Sequence, residues 1–143
     1  MTDTTHDLAM PEGLAKAGLR AYKIIVAYLK EHDFSDNGGC KAFYSPAEWA
    51  AREESYGTKS HLVVVYDGGA IRPVFSMDAA YDLDCQRYRK TGKTRTPYSL
   101  YEGMQEKLRA ASFYFEEGTR WYSAIYSMDA AYVSSDLATE ERT

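Results

Sequence analysis

The stretch that most constrains the fold is LVVVY at residues 62–66, five consecutive apolar residues of which three are β-branched. A short apolar run of this kind is typical of a strand that is buried on both faces of a sheet. The segment DGG (67–69) follows it and supplies the positive-φ residues that a tight turn requires. We therefore predict a central hairpin over residues 61–76, in which the second strand contains Pro73.

Pro73 limits where the returning strand can lie in the sheet. Proline lacks the N–H that a ladder needs, so this strand is expected at an edge or a bulge. A buried strand over 62–66 then requires a neighbour on its other side. RWYSAIY (120–126) is the best candidate because its side chains alternate as those of a strand do, and KAFY (41–44) predicts a further short strand.

Helical signals precede the hairpin. Apolar residues between positions 15 and 29 recur at three- and four-residue spacings, which predicts a first helix that ends near His32. The segment SPAE (45–48) combines a capping box with a proline at the first helical position. It predicts a second helix that continues to about Ser55.

Two further helices are predicted in the second half of the chain. One spans residues 78–89, and the other starts at the signals in TPYSLYE (96–102) and ends at Gly118. Together, the patterns predict an α+β fold in which about four helices pack on a small, mainly antiparallel β-sheet of three or four strands.

A length of 143 residues suits one domain with a single core. We place this α+β domain at residues 11–132 and expect the polar segments 1–10 and 133–143 to be disordered. No apolar run approaches the roughly 20 residues that cross a bilayer, so no membrane contact is expected. The first residues do not resemble a secretory signal, and Cys40 and Cys85 are therefore expected to be reduced thiols of a cytoplasmic protein.

The composition indicates what kind of partner is plausible. A net charge of −4 argues against a generally basic nucleic-acid binder and is too small for an acidic mimic of DNA. The 13 tyrosines are unusual. Tyrosine is enriched at protein interfaces, because its large apolar ring carries a polar tip, although it also packs well within sheets. The tyrosine content therefore favours a protein partner.

The segment RYRKTGKTR (87–95) concentrates positive charge and contains no acidic residue. Such a segment can contact an acidic protein surface, or a nucleic acid through its phosphates, or it can be a solvated linker between helices. Its aromatic residue could stack on a base, which keeps the nucleic-acid alternative open. The candidate partner-binding residues are Arg87, Tyr88, Arg89, Lys90, Lys93 and Arg95.

An enzyme or ligand-binding domain is the alternative hypothesis. Cys40 follows NGG in a predicted loop, where a nucleophile could be exposed, and His61 could act as its base. No nucleophile elbow, zinc-protease helix or dinucleotide fingerprint occurs in the sequence. The histidines and cysteines do not have metal-site spacing, so neither a metal nor a cofactor is predicted.

The hexapeptide SMDAAY occurs twice, at 76–81 and 127–132. Each copy can form a strand-to-helix junction, because its serine or aspartate can cap a helix that begins at the two alanines. The competing interpretation is a paired site that unites Asp78 with Asp129 and the tyrosines that end each copy. We favour the junction, which requires no chemistry.

These observations predict a small non-enzymatic protein that binds another macromolecule as a stoichiometric inhibitor or adaptor. Counter-defence proteins of mobile elements, of the anti-CRISPR or antirestriction type, are one class of such small proteins. The size of the chain suggests that class, whereas no motif identifies it.

Overall fold

The computed structural model describes residues 6–54, 56–92, 99–118 and 121–128. These residues form the predicted α+β fold, with five α-helices and a four-stranded antiparallel sheet. The helices are α1 (Lys16–Glu31), α2 (Pro46–Ala51), α3 (Arg72–Phe75), α4 (Met77–Thr91) and α5 (Ser99–Ala110). The strands are β1 (Phe43–Tyr44), β2 (Leu62–Val65), β3 (Phe113–Glu117) and β4 (Tyr122–Ser127).

Strand β2 occupies the interior of the sheet, whose order is β1-β2-β4-β3. All four of its residues are buried, so the prediction of a strand covered on both faces is confirmed. It pairs antiparallel with β1 through Phe43 and Tyr44, and antiparallel with β4, where Val63 lies opposite Ala124. The predicted pairing of 62–66 with 120–126 is therefore confirmed.

Three helices pack on one face of the sheet, and one short helix packs on the other. On the first face, α1, α3 and α5 pack their apolar side chains against Leu62, Val64 and the strands on either side. On the second face, the short helix α2 packs Trp49 against Val63 and Val65. Helix α4 lies in the outer layer, where it contacts α3 and α5.

Local capping signals account for where two of the helices begin. The Ser45 hydroxyl accepts from the Glu48 amide at 3.2 Å, and the Glu48 carboxylate accepts from the Ser45 amide at 3.1 Å, so the predicted capping box is present. The Ser76 hydroxyl likewise accepts from the Ala79 amide and caps α4. The first SMDAAY copy is thus a helix cap, although a helix, α3, precedes it. In the second copy, residues 129–132 lie outside the described part of the chain.

The predicted hairpin over 61–76 is wrong, because residues 72–75 form α3 and both edges of β2 are occupied by β1 and β4. Asn37 contacts the chain at the point where it leaves the sheet. Its side-chain oxygen accepts from the Ile71 amide at 3.2 Å, which holds the segment after the glycine turn against another loop. Pro73 fits the first turn of a helix, where its missing N–H costs nothing.

The predicted helix up to Gly118 is also wrong at its C-terminal end. Helix α5 ends at Ala110, and Ser112 has a φ of 68°, which breaks the helix. Strand β3 follows and forms the actual hairpin with β4, closed by a hydrogen bond from the Gly118 amide to the Tyr122 carbonyl. The spacing of Met104, Leu108 and Ala111 suits one face of a helix, and Phe115 continues it in the sequence. In the structure, however, Phe113 and Phe115 lie in a strand and both point to the first face of the sheet.

The packed part of the chain starts before the predicted boundary at residue 11. Residues His6–Leu8 form a 3₁₀ turn, and Leu8 lies in the core. The Tyr22 hydroxyl donates to the Leu8 carbonyl at 2.6 Å, and an Asp7 carboxylate oxygen accepts from the amides of Asn37 and Gly39. Residues 1–5 and 133–143 lie outside the described residues. Among the described helices, none is long and apolar enough to cross a membrane.

The Asn37 side chain is expected to be a major contributor to stability. It is fully buried, donates to the carbonyls of Val65 and Cys40 at 2.9 and 3.2 Å, and accepts from Ile71. Asn37→Ala removes the partner of the Val65 carbonyl and the Ile71 amide in the interior and of the partly buried Cys40 carbonyl, so it should lower the free energy of unfolding by roughly 2–4 kcal/mol. Urea denaturation measures this loss.

The control is Asp36→Ala, in which the lost carboxylate accepts one exposed hydrogen bond from Gly38. This change should cost less than about 1 kcal/mol. Equal losses for the two variants would contradict the central role of Asn37.

Candidate partner-binding site

The described part of the predicted basic segment lies at the C-terminal end of α4. Arg87, Tyr88, Arg89 and Lys90 are all exposed, and Gly92 ends the helix in the left-handed conformation. Positive side chains also interact favourably with the carbonyl end of a helix, which is a purely structural reason for their presence. The two other predicted residues, Lys93 and Arg95, lie outside the described residues.

In the described part of the chain, three adjoining cavities connect this helix end to α1 and α5. A cavity of about 410 Å³ is lined by Leu83, Gln86, Arg87, Arg89 and Lys90. A second, of about 170 Å³, shares Arg87 with the first and is also lined by His32, Phe34 and Leu100. A third, of about 430 Å³, shares His32 with the second and is also lined by Tyr28, Gly103, Glu106, Lys107 and Ala110. We call this set of three cavities the basic groove.

The groove depends on the close approach of α1 and α5. The Tyr28 hydroxyl donates to the Leu100 carbonyl at 2.9 Å, which fastens the two helices together. Gly103 permits this approach, because a Cβ atom at that position would collide with the Tyr28 hydroxyl. The Tyr28 ring also packs against His32, with ring centroids 4.4 Å apart. The middle of the groove therefore places the exposed His32 against the buried Tyr28.

The charge of the groove is opposite to that of the whole protein. Arg87, Arg89, Lys90 and Lys107 contribute positive groups, while Glu106 contributes a negative one. The net charge of the chain is −4, so the groove is a local positive region. A positive concave surface of this kind attracts and orients anionic groups of a ligand.

The alternative nucleophile and base lie at opposite ends of β2. His61 precedes the strand, and its amide donates to the Ile125 carbonyl. Cys40 is tied to the other end, because the Asn37 amide group donates to the carbonyls of both Cys40 and Val65. Since four strand residues span roughly 10 Å, the structure does not bring the thiol and the imidazole together.

The surroundings of Cys40 also oppose thiolate formation. Burial, followed by the nearby carboxylates of Asp67 and Asp7, raises the pKa of the Cys40 thiol. Burial, followed by the Arg20 guanidinium, lowers the pKa of His61. A reactive cysteine needs the opposite shift of the thiol pKa. Within the described residues, no group of three His, Cys, Asp or Glu side chains is arranged to hold a metal ion.

Sequence reasoning missed a second surface, formed by tyrosines on the second face of the sheet. Tyr114 and Tyr126 lie directly opposite each other on β3 and β4, and their rings stack with centroids 5.6 Å apart. The Tyr56 hydroxyl donates to the Glu116 carboxylate at 2.9 Å. We call these four residues the tyrosine face. The alternation of 114 with 116 could have indicated it, had β3 been recognised as a strand.

No family model matches the chain, and no curated protein or solved structure is significantly similar to it. A functional proposal for this chain therefore rests on its sequence and on the geometry of the described residues.

The raised thiol pKa leads to a prediction about Cys40 reactivity. In a Cys85→Ser variant, Cys40 should react with iodoacetamide at pH 8 more slowly than cysteine in an unstructured peptide, because less of it is thiolate. The rate should keep rising above the pH at which the peptide reaches its plateau. Mass spectrometry of timed samples measures both. A rate faster than that of the peptide would contradict the assignment and favour a catalytic thiol.

Proposed function

We propose that this chain is a small non-enzymatic protein that binds a partner protein as a stoichiometric inhibitor or adaptor in the cytoplasm. The observation that supports the proposal is the basic groove, in which the exposed cations of α4 line a depression shared with α1 and α5. Large depressions with fixed walls and charged rims suit the recognition of a protruding segment.

The groove combines positive charge with apolar surface, which favours a protein ligand. Phe34 and Leu100 lie beside Arg87 in the smallest cavity, and Leu83 lies beside the cations of the next one. An acidic segment that also carries apolar side chains complements both properties. Sequence-independent binding of nucleic acid instead depends on many phosphate contacts, which the net charge of −4 and the carboxylate of Glu106 oppose.

A further observation supports a non-catalytic role. Cys40 and His61, the candidate catalytic pair, are separated by the length of β2. Counter-defence proteins of mobile elements act by stoichiometric binding, and a role of that type is compatible with the groove but is suggested only by chain size.

Charge reversal in the groove tests the proposal. The variant with Arg87→Glu, Arg89→Glu and Lys90→Glu should bind its partner at least about tenfold more weakly, since complementary charges across an interface are replaced by like charges. Affinity capture from a source lysate identifies the partner, and titration calorimetry with the purified partner at two salt concentrations measures the loss. Binding by the unmodified protein should weaken as the salt concentration rises.

The control reverses the same amount of charge outside the groove, through Lys16→Glu, Lys23→Glu and Lys59→Glu, all at exposed positions. This variant should retain most of the affinity. Equal losses in both variants would show that net charge, and not the groove, determines binding. Loss of the captured partner after nuclease treatment would favour the nucleic-acid alternative, and turnover of a substrate would overturn the proposal.

A further inference from the structure

The tyrosine face lies on the opposite side of the sheet from the helices that form the basic groove. Tyr114 and Glu116 project from β3 and Tyr126 from β4, on the face that Val63 and Ala124 also share. Tyr56 and Glu116 are exposed, while Tyr114 and Tyr126 are partly exposed. Helix α2 covers the other half of this face through Trp49. The stacked ring pair is therefore accessible at the surface.

Glu116 gives this aromatic surface a negative charge. Its carboxylate accepts the Tyr56 hydroxyl hydrogen bond at 2.9 Å, and this bond, more than burial, raises the pKa of Tyr56 to about 12. After burial, the same carboxylate is the main neighbour that raises the pKa of Tyr114 and of Tyr126. One exposed carboxylate thus lies close to three tyrosine side chains, whose ring faces are themselves electron-rich.

In the half of this face that α2 covers, aromatic rings contact cationic side chains. The Lys41 ammonium lies 4.7 Å from the centroid of the Tyr44 ring. The Arg52 guanidinium lies 5.2 Å from the Tyr44 centroid and 4.8 Å from the Trp49 ring. On β1 and α2, aromatic side chains of this sheet face are therefore covered by cationic side chains.

We propose that the tyrosine face binds an arginine or lysine side chain of a partner protein, with Glu116 as its counter-ion and the rings of Tyr114 and Tyr126 as its contact surface. An aromatic ring attracts a cation through its quadrupole, and a nearby carboxylate adds a direct ion pair. A neutral apolar ligand would cover the Glu116 carboxylate without supplying an opposite charge, and an acidic ligand would be repelled. This site is independent of the basic groove and of its proposed partner.

A peptide titration tests the site. The probes are three nine-residue peptides that alternate glycine with arginine, lysine or glutamate. Each is added up to millimolar concentration to the ¹³C,¹⁵N-labelled full-length protein, and amide and tyrosine ring shifts are followed by NMR. The arginine and lysine peptides should shift the resonances of Tyr114, Tyr126 and neighbouring β3 and β4 residues, whereas the glutamate peptide should not.

Charge variants separate a specific site from general attraction to a negative protein. Glu116→Gln should weaken binding of the arginine peptide roughly three- to tenfold, and Glu116→Lys should abolish it. The control Glu102→Gln removes an equal charge from an exposed position on α5 and should leave binding unchanged. Tyr56→Phe removes the hydrogen bond but keeps the carboxylate, so it should retain binding.

Several results would overturn the proposal. Absence of a shift at millimolar arginine peptide, an equal response to the glutamate peptide, or equal effects of Glu116→Gln and Glu102→Gln would each do so. Light scattering tests whether a second copy of this chain occupies the tyrosine face. A dimer that Glu116→Lys dissociates would assign the face to that second copy and overturn the proposal. The charge-reversal variants of the basic groove change no residue of the tyrosine face. A negative result for the tyrosine face would therefore leave the proposed function of the groove untested by these peptides, and the groove variants test it independently.

Discussion

The two-sided burial of β2 is the constraint on which the rest of the structure depends. A strand with four buried residues must have a neighbour along each edge and a cover on each face. Strands β1 and β4 satisfy its backbone groups, and the helices of the first face cover Leu62 and Val64. On the second face, Val63 and Val65 are covered by Trp49 of a helix only six residues long. The unequal cover follows directly from the lengths of these helices.

The short helix α2 leaves the second face of β3 and part of β4 uncovered by a helix. The partly exposed positions 114 and 126 on this face carry tyrosines, whose rings can shield the sheet while their hydroxyls reach water or a carboxylate. This explains how a protein with 13 tyrosines can use them in both the core and the surface. Tyr66 is fully buried and shares a hydrogen bond of 2.9 Å with Ser123, whereas Tyr56 is exposed and bonds to Glu116.

Local signals in the sequence predicted the elements that local chemistry determines. The capping box at Ser45, the serine cap at residue 76 and the apolar run of β2 depend on residues close in sequence, and all three are present. The predictions were wrong where contacts with residues distant in the sequence accompany the observed conformation. Asn37, which lies 34 positions before Ile71, accepts a hydrogen bond from the Ile71 amide directly before residues 72–75, which form a helix and not a returning strand. No periodicity in the segment itself reveals that bond.

The same distinction applies to the candidate sites. Charge density identified Arg87, Arg89 and Lys90 because it is a local property, but the groove also needs His32 and Lys107, which only the packing of α1 and α5 adds. The tyrosine face needs β3 and β4 to be paired in register. Two layers, each roughly 10 Å thick, separate these surfaces, and the Debye length at physiological salt is about 8 Å. The solvent-exposed charges of the basic groove and of the tyrosine face are therefore largely screened from each other, and the two proposed sites are electrostatically independent.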